Sequence, residues 1–150
     1  CNTRKTYEYR ILNTAVPLPQ KRNFTWHVAG SIDIHKMREA AAYIVGEHDF
    51  KSFCCVRTQA ESTVRTIYSL EVLQEGSEII ICIKGNGFLY NMVRIITGTL
   101  IQVGKGRFKP EYVKQMLEAK DRTVAGQTAP PQGLTLVGIE YVDNDDARVV

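Results

Sequence analysis

The sequence predicts an α+β fold: a split βαβ-type four-stranded antiparallel sheet with helices packed mainly on one face. Three observations predict it. Four segments have the residue pattern of strands, and two of these form a hairpin. The elements follow the order strand, helix, strand, strand, helix, short helix, strand. No linker or shift in composition divides the chain, so residues 1–142 are predicted to form one domain and residues 143–150 an exposed tail.

Composition limits the class of protein. The 150 residues are enough for one sizeable core, and a net charge of +3 permits a nucleic-acid partner without requiring one. Cys54 and Cys55 are adjacent and no Cys-x-x-Cys occurs, so neither a metal site nor a disulfide framework is predicted. No run of residues is apolar enough for a membrane span, and no signal peptide is present. A reducing cytoplasm is the simplest setting, and a chain that begins with Cys1 indicates a piece of a longer protein.

The first strand is predicted from the alternation between Lys5 and Leu12, which places Tyr7, Tyr9 and Ile11 on one face. Burial in the core is the simpler interpretation of the two tyrosines, and a stacking surface for bases is the alternative. A proline-containing connection follows over residues 13–27. Its basic and aromatic residues would suit an RNA backbone, whereas a solvated loop with a tryptophan in the core is the simpler interpretation.

A helix is predicted after this connection. Asp33 is the expected N-cap and Gly46 the expected end. The residues expected on its buried face are Met37, Ala40, Ala41 and Ile44.

The next segment contains Glu47, His48 and Asp49 in a row, which could be the catalytic cluster of a hydrolase. Adjacent side chains usually point in different directions, and Phe50 and Phe53 have the character of core residues. A structural role is therefore the favoured interpretation.

A hairpin is predicted from two strand-like runs, residues 64–73 and 78–84. The second run is apolar enough for the centre of a sheet. Beyond the next helix come a basic loop at residues 104–109, a short helix opened by Pro110, and a last strand over residues 134–142.

The most unusual stretch runs from Gly85 to Gly104, where Arg94 is the only charged residue. A helix entered through residues 85–87 is predicted here, and on a helical wheel it is apolar nearly all round, which is typical of a helix buried on both sides. A buried, unpaired charge costs several kcal/mol. Arg94 should therefore be exposed, or paired with a bound anion or an acidic side chain; an arginine that extends to solvent is the alternative to a functional one.

Four stretches resemble the tRNA pseudouridine synthase A family. They are KTYEYRI at 5–11, GEHDFKSF at 46–53, GNGFLYNMVR at 85–94 and TAPPQGLTL at 128–136. The resemblance implies half of a pseudouridine synthase fold, from an enzyme that isomerises uridine to pseudouridine in the anticodon stem-loop of tRNA. It also implies that the enzyme is a homodimer and needs no cofactor.

The resemblance also implies roles for particular residues. Tyr7 matches a tyrosine that stacks on the target base and whose hydroxyl helps to move a proton at C5. Arg94 matches an arginine that pairs with the catalytic aspartate, so its face should line a cleft completed by the rest of the enzyme. Leu134 matches an apolar residue of the base pocket, and Leu136 and Phe88 are further candidates for substrate binding.

The family's aspartate lies in an Arg-Thr-Asp motif that this sequence does not contain. Residues 57–59 read Arg-Thr-Gln and residues 122–124 read Arg-Thr-Val. The nucleophile should therefore belong to the N-terminal part of the enzyme, and this chain alone should be inactive. A non-catalytic RNA-binding module is the alternative. Candidates for contacts with the tRNA backbone are Arg10, Lys21, Arg22, Lys105, Arg107 and Lys109.

Overall fold

The computed structural model describes residues 2–55 and 61–142. The predicted tail at 143–150 and the Arg-Thr-Gln sequence at 57–59 lie outside these ranges. The strands are β1 (Asn2–Leu12), β2 (Trp26–His27), β3 (Gly46–Asp49), β4 (Val64–Glu75), β5 (Glu78–Gly85) and β6 (Leu134–Val142). The helices are α1 (Ile34–Ile44), α2 (Met92–Gly104) and α3 (Tyr112–Ala119). Single 3-10 turns occur at Pro19–Lys21, Lys51–Phe53, Arg122–Val124 and Pro131–Gly133.

The long strands form the predicted antiparallel sheet in the order β6-β1-β5-β4. The number of strands was predicted wrongly, because two short strands extend this sheet. β2 pairs in parallel with the end of β1, where Ile11 lies opposite Trp26, and β3 pairs with β4 at the other edge. Two or four residues are too few to produce a recognisable alternation, so sequence periodicity does not detect such strands.

The hairpin prediction is confirmed. β4 and β5 are joined through Gly76, whose φ of 58° lies in the left-handed region that glycine adopts without steric cost. β5 is central, between β1 and β4, and Ile79, Ile81 and Ile83 are buried on one of its faces. This strand therefore anchors the apolar side of the sheet.

The helices pack on the face that carries a buried row of Tyr9, Ile81 and Val72 from three neighbouring strands. α1 has the predicted cap, since the side chain of Asp33 accepts a hydrogen bond from the backbone nitrogen of Lys36 at 3.2 Å. The four residues predicted for its inner face are all buried, as are both phenylalanines of the following segment. No helix within the described ranges is long and apolar enough to cross a membrane.

α2 is buried all round, as predicted, and Arg94 is its only residue that is not buried. It begins at Met92, however, so the prediction that the helix is entered directly after Gly87 is wrong. Asn91 has a φ of 63°, which interrupts any helical path from the loop before it. Phe88 consequently lies on a loop rather than on the helix.

A segment of the chain itself covers the less apolar side of α2. A Cβ atom on Gly98 would lie 1.8 Å from the carbonyl oxygen of Gln127, so only glycine permits this approach. The backbone nitrogen of Gly126 donates to the Thr99 hydroxyl at 2.9 Å. The expectation that this face lines a cleft therefore fails along most of the helix, and only its N-terminal end, where Arg94 lies, borders one.

Candidate active site

A cleft of about 330 Å³ opens where β1, the loop before α2, the first turn of α2 and the start of β6 meet. It is lined by Tyr7, Phe88, Leu89, Tyr90, Asn91, Met92, Val93, Arg94, Pro131 and Leu134. Tyr7, Phe88, Arg94 and Leu134 are thus brought together from three distant parts of the sequence. Leu136 does not line the cleft; it lies opposite Tyr7 on β6 and is 44% exposed.

Tyr7 is half-buried on β1, between β5 and β6. Its ring meets that of Phe88 edge to face, with the ring centroids 5.2 Å apart and an interplanar angle of 89°. Such edge-to-face contact is a favoured aromatic geometry and restricts the ring. The pairing of β1 with β6 shifts between Thr6 and Tyr7, and irregularities of this kind redirect side chains beside sites.

Within the described ranges, Arg94 is not paired with a carboxylate such as the family resemblance implies. Its Nε donates to the carbonyl oxygen of Ala129 at 2.7 Å, and its Nη1 donates to Oδ1 of Asn91 at 3.0 Å. The side chain is half-buried, and no carboxylate within residues 2–55 and 61–142 forms an ion pair with it. The structure therefore differs from the expected exposed or acid-paired arginine, because neutral oxygens satisfy part of the guanidinium, while pairing with a bound anion stays a prediction.

Ala129 is held in two directions. Its backbone nitrogen donates to the carbonyl oxygen of Arg94 at 2.9 Å, while its own carbonyl accepts from the Arg94 side chain. The next residue, Pro130, accepts a hydrogen bond of 2.6 Å from the hydroxyl of Tyr9. The Arg94 side chain therefore contacts a segment of backbone that is itself held by hydrogen bonds, which restricts the orientation of the guanidinium.

Tyr9 contributes to this support, whereas its sequence pattern favoured a place in the core, with a stacking surface for bases as the alternative. Burial raises the pKa of Tyr9, and the nearby charge of Arg94 opposes that rise. The hydroxyl is thus a permanent donor to Pro130 at physiological pH. The alternation of β1 placed Tyr9 on the same face as Tyr7, but nothing in the sequence pointed to a bond with a residue 121 positions away.

The cleft can hold a planar, uncharged ring and stabilise a negative charge beside it. Tyr7, Phe88 and Leu134 supply apolar and aromatic walls, and Arg94 supplies the only charge among the lining residues. A half-buried cation with neutral partners favours an anion more strongly than a solvated one does. Among the residues that the structure describes, none of those lining the cleft is a carboxylate.

Two of the predicted RNA-binding cations, Arg10 and Lys21, lie on the face of the sheet opposite the helices. Arg10 Nη1 and Lys21 Nζ pair with the two oxygens of Glu78 at 3.3 and 3.0 Å, and Arg10 Nε lies 2.8 Å from Glu8. The hydrogen bond from Lys21 is the main cause that holds the pKa of Glu78 below its usual value; burial opposes it and Arg10 adds to it. A phosphate group at this place would have to compete with carboxylates.

The other predicted cations are exposed. Lys105, Arg107 and Lys109 follow the far end of α2, and Lys105 lies about 17 Å along the helix axis from Arg94 at a rise of 1.5 Å per residue. Arg22 lies near Phe24, whose side chain is 66% exposed.

A further group of cations lies closer to the site and was missed. Lys51, Lys120 and Arg122 line a second cleft of about 260 Å³. Its wall is tied to the first cleft by a 3.2 Å hydrogen bond from the backbone nitrogen of Cys55 to the carbonyl oxygen of Tyr90. Lys51 is about 70 residues from the other two cations in sequence, so no local pattern could have grouped all three.

The hydrolase hypothesis finds no support in the arrangement of β3. His48 Nε2 lies 3.0 Å from the carbonyl oxygen of Val45. Asp49 Oδ1 accepts from the Thr63 hydroxyl at 2.5 Å and from the Lys51 backbone nitrogen at 3.1 Å. The imidazole and the carboxylate therefore do not orient each other. Within the described ranges, no three His, Cys, Asp or Glu side chains form a group that could hold a metal ion.

Comparisons with known proteins give one consistent result. A family model described as tRNA pseudouridine synthase matches residues 40–142. The tRNA pseudouridine synthase A of Thermoanaerobacter sp. (strain X514) is 49% identical over 138 residues, which are 92% of this chain and 57% of the relative. The protein of the same name from Listeria innocua is 48% identical over 139 residues, 91% of this chain and 56% of the relative.

The tRNA pseudouridine synthase A of Bacillus velezensis is 48% identical over 137 residues, which are 91% of this chain and 56% of the relative. The chain thus spans little more than half the length of the curated relatives it matches. Most of the described fold, including the loop before α2, Arg94 and Leu134, falls inside the matched family region. The chain belongs to the tRNA pseudouridine synthase family.

Proposed function

We propose that the complete enzyme of which this chain is a part isomerises uridine to pseudouridine in the anticodon stem-loop of tRNA. The observation that carries the proposal is the cleft in which Tyr7, Arg94 and Leu134 converge with no carboxylate among the lining residues. Because the chain covers only 57% of a close relative, we assign the missing aspartate to the part of the enzyme outside this chain. We further propose a cytoplasmic homodimer, as the family resemblance implies.

The proposed reaction exchanges one bond of the base for another. The bond between N1 of uracil and C1′ of the ribose breaks, the detached base turns, and C5 bonds to C1′. A proton leaves C5 and N1 gains one, so the product is an isomer of the substrate. No oxidant, reductant or additional substrate is needed for this balance.

Tyr7 and Leu134 would hold the base during this exchange. An uncharged pyrimidine can stack on an aromatic ring, which contributes about 1–3 kcal/mol per base in nucleic-acid complexes. Phe88 holds the Tyr7 ring from the side, so the stacking surface is fixed before the base arrives. Apolar walls exclude water, which would otherwise attack the cleaved ribose.

Arg94 would orient and ionise the catalytic carboxylate. An adjacent guanidinium favours the charged form of a carboxyl group and lowers its pKa. It also fixes the direction of attack, which is worth far more than charge alone in reactions that depend on orientation. Among the described residues its charge meets only neutral oxygens, so it is available to a carboxylate supplied by the rest of the enzyme.

We propose tRNA backbone contacts on two regions. The first is the group of Lys51, Lys120 and Arg122 beside the cleft, and the second is the exposed loop carrying Lys105, Arg107 and Lys109. Arg22 is a further candidate, while Arg10 and Lys21 would first have to leave Glu78. Such contacts position the RNA without reading its sequence.

Release of tritium from tRNA labelled at C5 of uridine tests the proposed reaction. The complete enzyme should release tritium and the purified chain should not, whereas the chain mixed with the remaining part of the enzyme should recover release. Release by the chain alone would contradict the assignment of the nucleophile. Salt-sensitive binding of tRNA without recovered release would favour an RNA-binding module instead.

Replacing Tyr7 by phenylalanine in the complete enzyme should lower turnover on the order of 10²-fold, the typical effect of losing a proton-transferring group. Affinity for tRNA should stay the same, because the stacking ring and its contact with Phe88 remain. Tritium release and filter binding measure the two quantities. Tyr43→Phe, at a partly exposed tyrosine on α1, is the matched control. Normal turnover of the Tyr7 variant would show that the hydroxyl takes no part in the chemistry.

A further inference from the structure

Asn91 has an unusual backbone at the edge of the cleft. Its φ of 63° and ψ of 6° lie in the left-handed region, which non-glycine residues seldom occupy. Among the non-glycine residues that the structure describes, Lys120 alone shares a positive φ. Asparagine enters this region more easily than most residues because its short side chain can form local hydrogen bonds.

The side chain of Asn91 serves Arg94 and not the helix. A residue at the N-cap position normally accepts a hydrogen bond from the backbone of the first turn, but Asn91 makes no such bond. Its Oδ1 instead accepts from Nη1 of Arg94 at 3.0 Å. A guanidinium has donors only, so the amide atom that faces it must be the oxygen.

Two hydrogen bonds from different sides fix the plane of the guanidinium. Nε is held by the Ala129 carbonyl and Nη1 by Asn91. Nη2 has no hydrogen-bond partner within residues 2–55 and 61–142, and Arg94 lines the cleft. Two of the three remaining N–H donors of Arg94 are therefore on Nη2, and the third is on Nη1.

We propose that Asn91 is a positioning residue, which orients Arg94 so that Nη2 meets the catalytic carboxylate. This inference rests on the proposed function. An amide suits the task because it accepts one hydrogen bond without neutralising the arginine. An aspartate at the same place would orient the guanidinium equally well, but its charge would compete with the incoming carboxylate.

Asn91→Gly in the complete enzyme is the first test. Glycine adopts the same positive φ without steric cost, so the variant removes the acceptor and keeps the turn. We expect kcat for tritium release to fall about tenfold, since a small displacement of a catalytic group has large effects. KM for tRNA should stay within about twofold, because Asn91 acts on the reacting groups and not on the RNA backbone. Asn23→Gly, at an exposed turn, is the matched control.

A double-mutant cycle separates positioning from a purely structural role. If Asn91 acts through Arg94, Asn91→Gly should have no further effect in an Arg94→Ala background. Asn91→Asp should have a lower kcat than Asn91→Gly, because its carboxylate would pair with Arg94. This second variant keeps an acceptor, so it tests the claim even where glycine alters the loop.

Three results would overturn the inference. The first is an unchanged kcat for Asn91→Gly, and the second is a further fall in kcat when Asn91→Gly is added to Arg94→Ala. The third is an Asn91→Asp variant at least as active as Asn91→Gly. A wild-type enzyme that releases no tritium from tRNA would instead contradict the proposed function. The two failures are thus distinguishable, since the inference is judged only against an active wild type.

Discussion

Arg94→Ala in the complete enzyme is expected to lower turnover by about 10²–10³-fold, the usual loss when one charge-stabilising group of an active site is removed. The variant loses the cation that would keep the catalytic carboxylate ionised and in place. Affinity for tRNA should change little, because Arg94 lines the cleft and the cations proposed to contact the RNA backbone lie elsewhere. Single-turnover tritium release and equilibrium binding would measure the two effects.

Arg94→Lys is the informative companion. Lysine keeps the charge but is a compact point charge on a flexible stem, without the planar fork. It could not hold Ala129 and Asn91 and still offer a donor in the same direction. Turnover should therefore recover only slightly. Near-normal turnover of either variant would remove Arg94 from the proposed active site.

Gly98→Ala is expected to destabilise the chain by about 2–3 kcal/mol, near the upper end for an overpacked core. The added Cβ would lie 1.8 Å from the Gln127 carbonyl oxygen, and backbone cannot move aside as a flexible side chain can. This cost should exceed the gain of roughly 1 kcal/mol that alanine has over glycine within a helix. Urea denaturation of the chain measures the change.

The same substitution should reach the active site. Displacing Gln127 moves Ala129, and Ala129 holds the side chain of Arg94. Turnover of the complete enzyme should fall although residue 98 is not among those that line the cleft. Gly138→Ala is the matched control, since a Cβ there meets no atom within 4 Å. Equal stability of the two variants would show that segment 126–129 yields without cost.

The parts of the fold that sequence predicted are those with a local cause. The first strand, the hairpin and α1 follow from alternation, a turn and a capped apolar face, each visible in a short window. β2 and β3 have no such signal, because they are strands only through their pairing with β1 and β4. The start of α2 was misplaced for a related reason, since one residue with positive φ, Asn91, ends the preceding loop.

The candidate site also has a part that sequence predicted and a part that it did not. A lone charge in an apolar helix marked Arg94, and motif resemblance indicated Tyr7, Phe88 and Leu134. Neither source gave the contacts that orient these groups. The contacts of Ala129 and Pro130 use backbone carbonyl oxygens, which every residue type carries. Tyr9 acts through a hydroxyl hydrogen bond to a residue distant in sequence, and no local pattern distinguishes such contacts.

The sequence by itself therefore determined the class of fold, the family and the identity of the cation at the cleft. Each of these rests on periodicity or on a specific string of residues. Only the tertiary structure decided what Arg94 touches, that the chain covers most of α2, and which cations lie beside the cleft. Apart from the local contact of Arg94 with Asn91, these depend on the approach of segments about 30 to 70 residues apart, and that approach is set by close packing of the whole core, not by any local pattern.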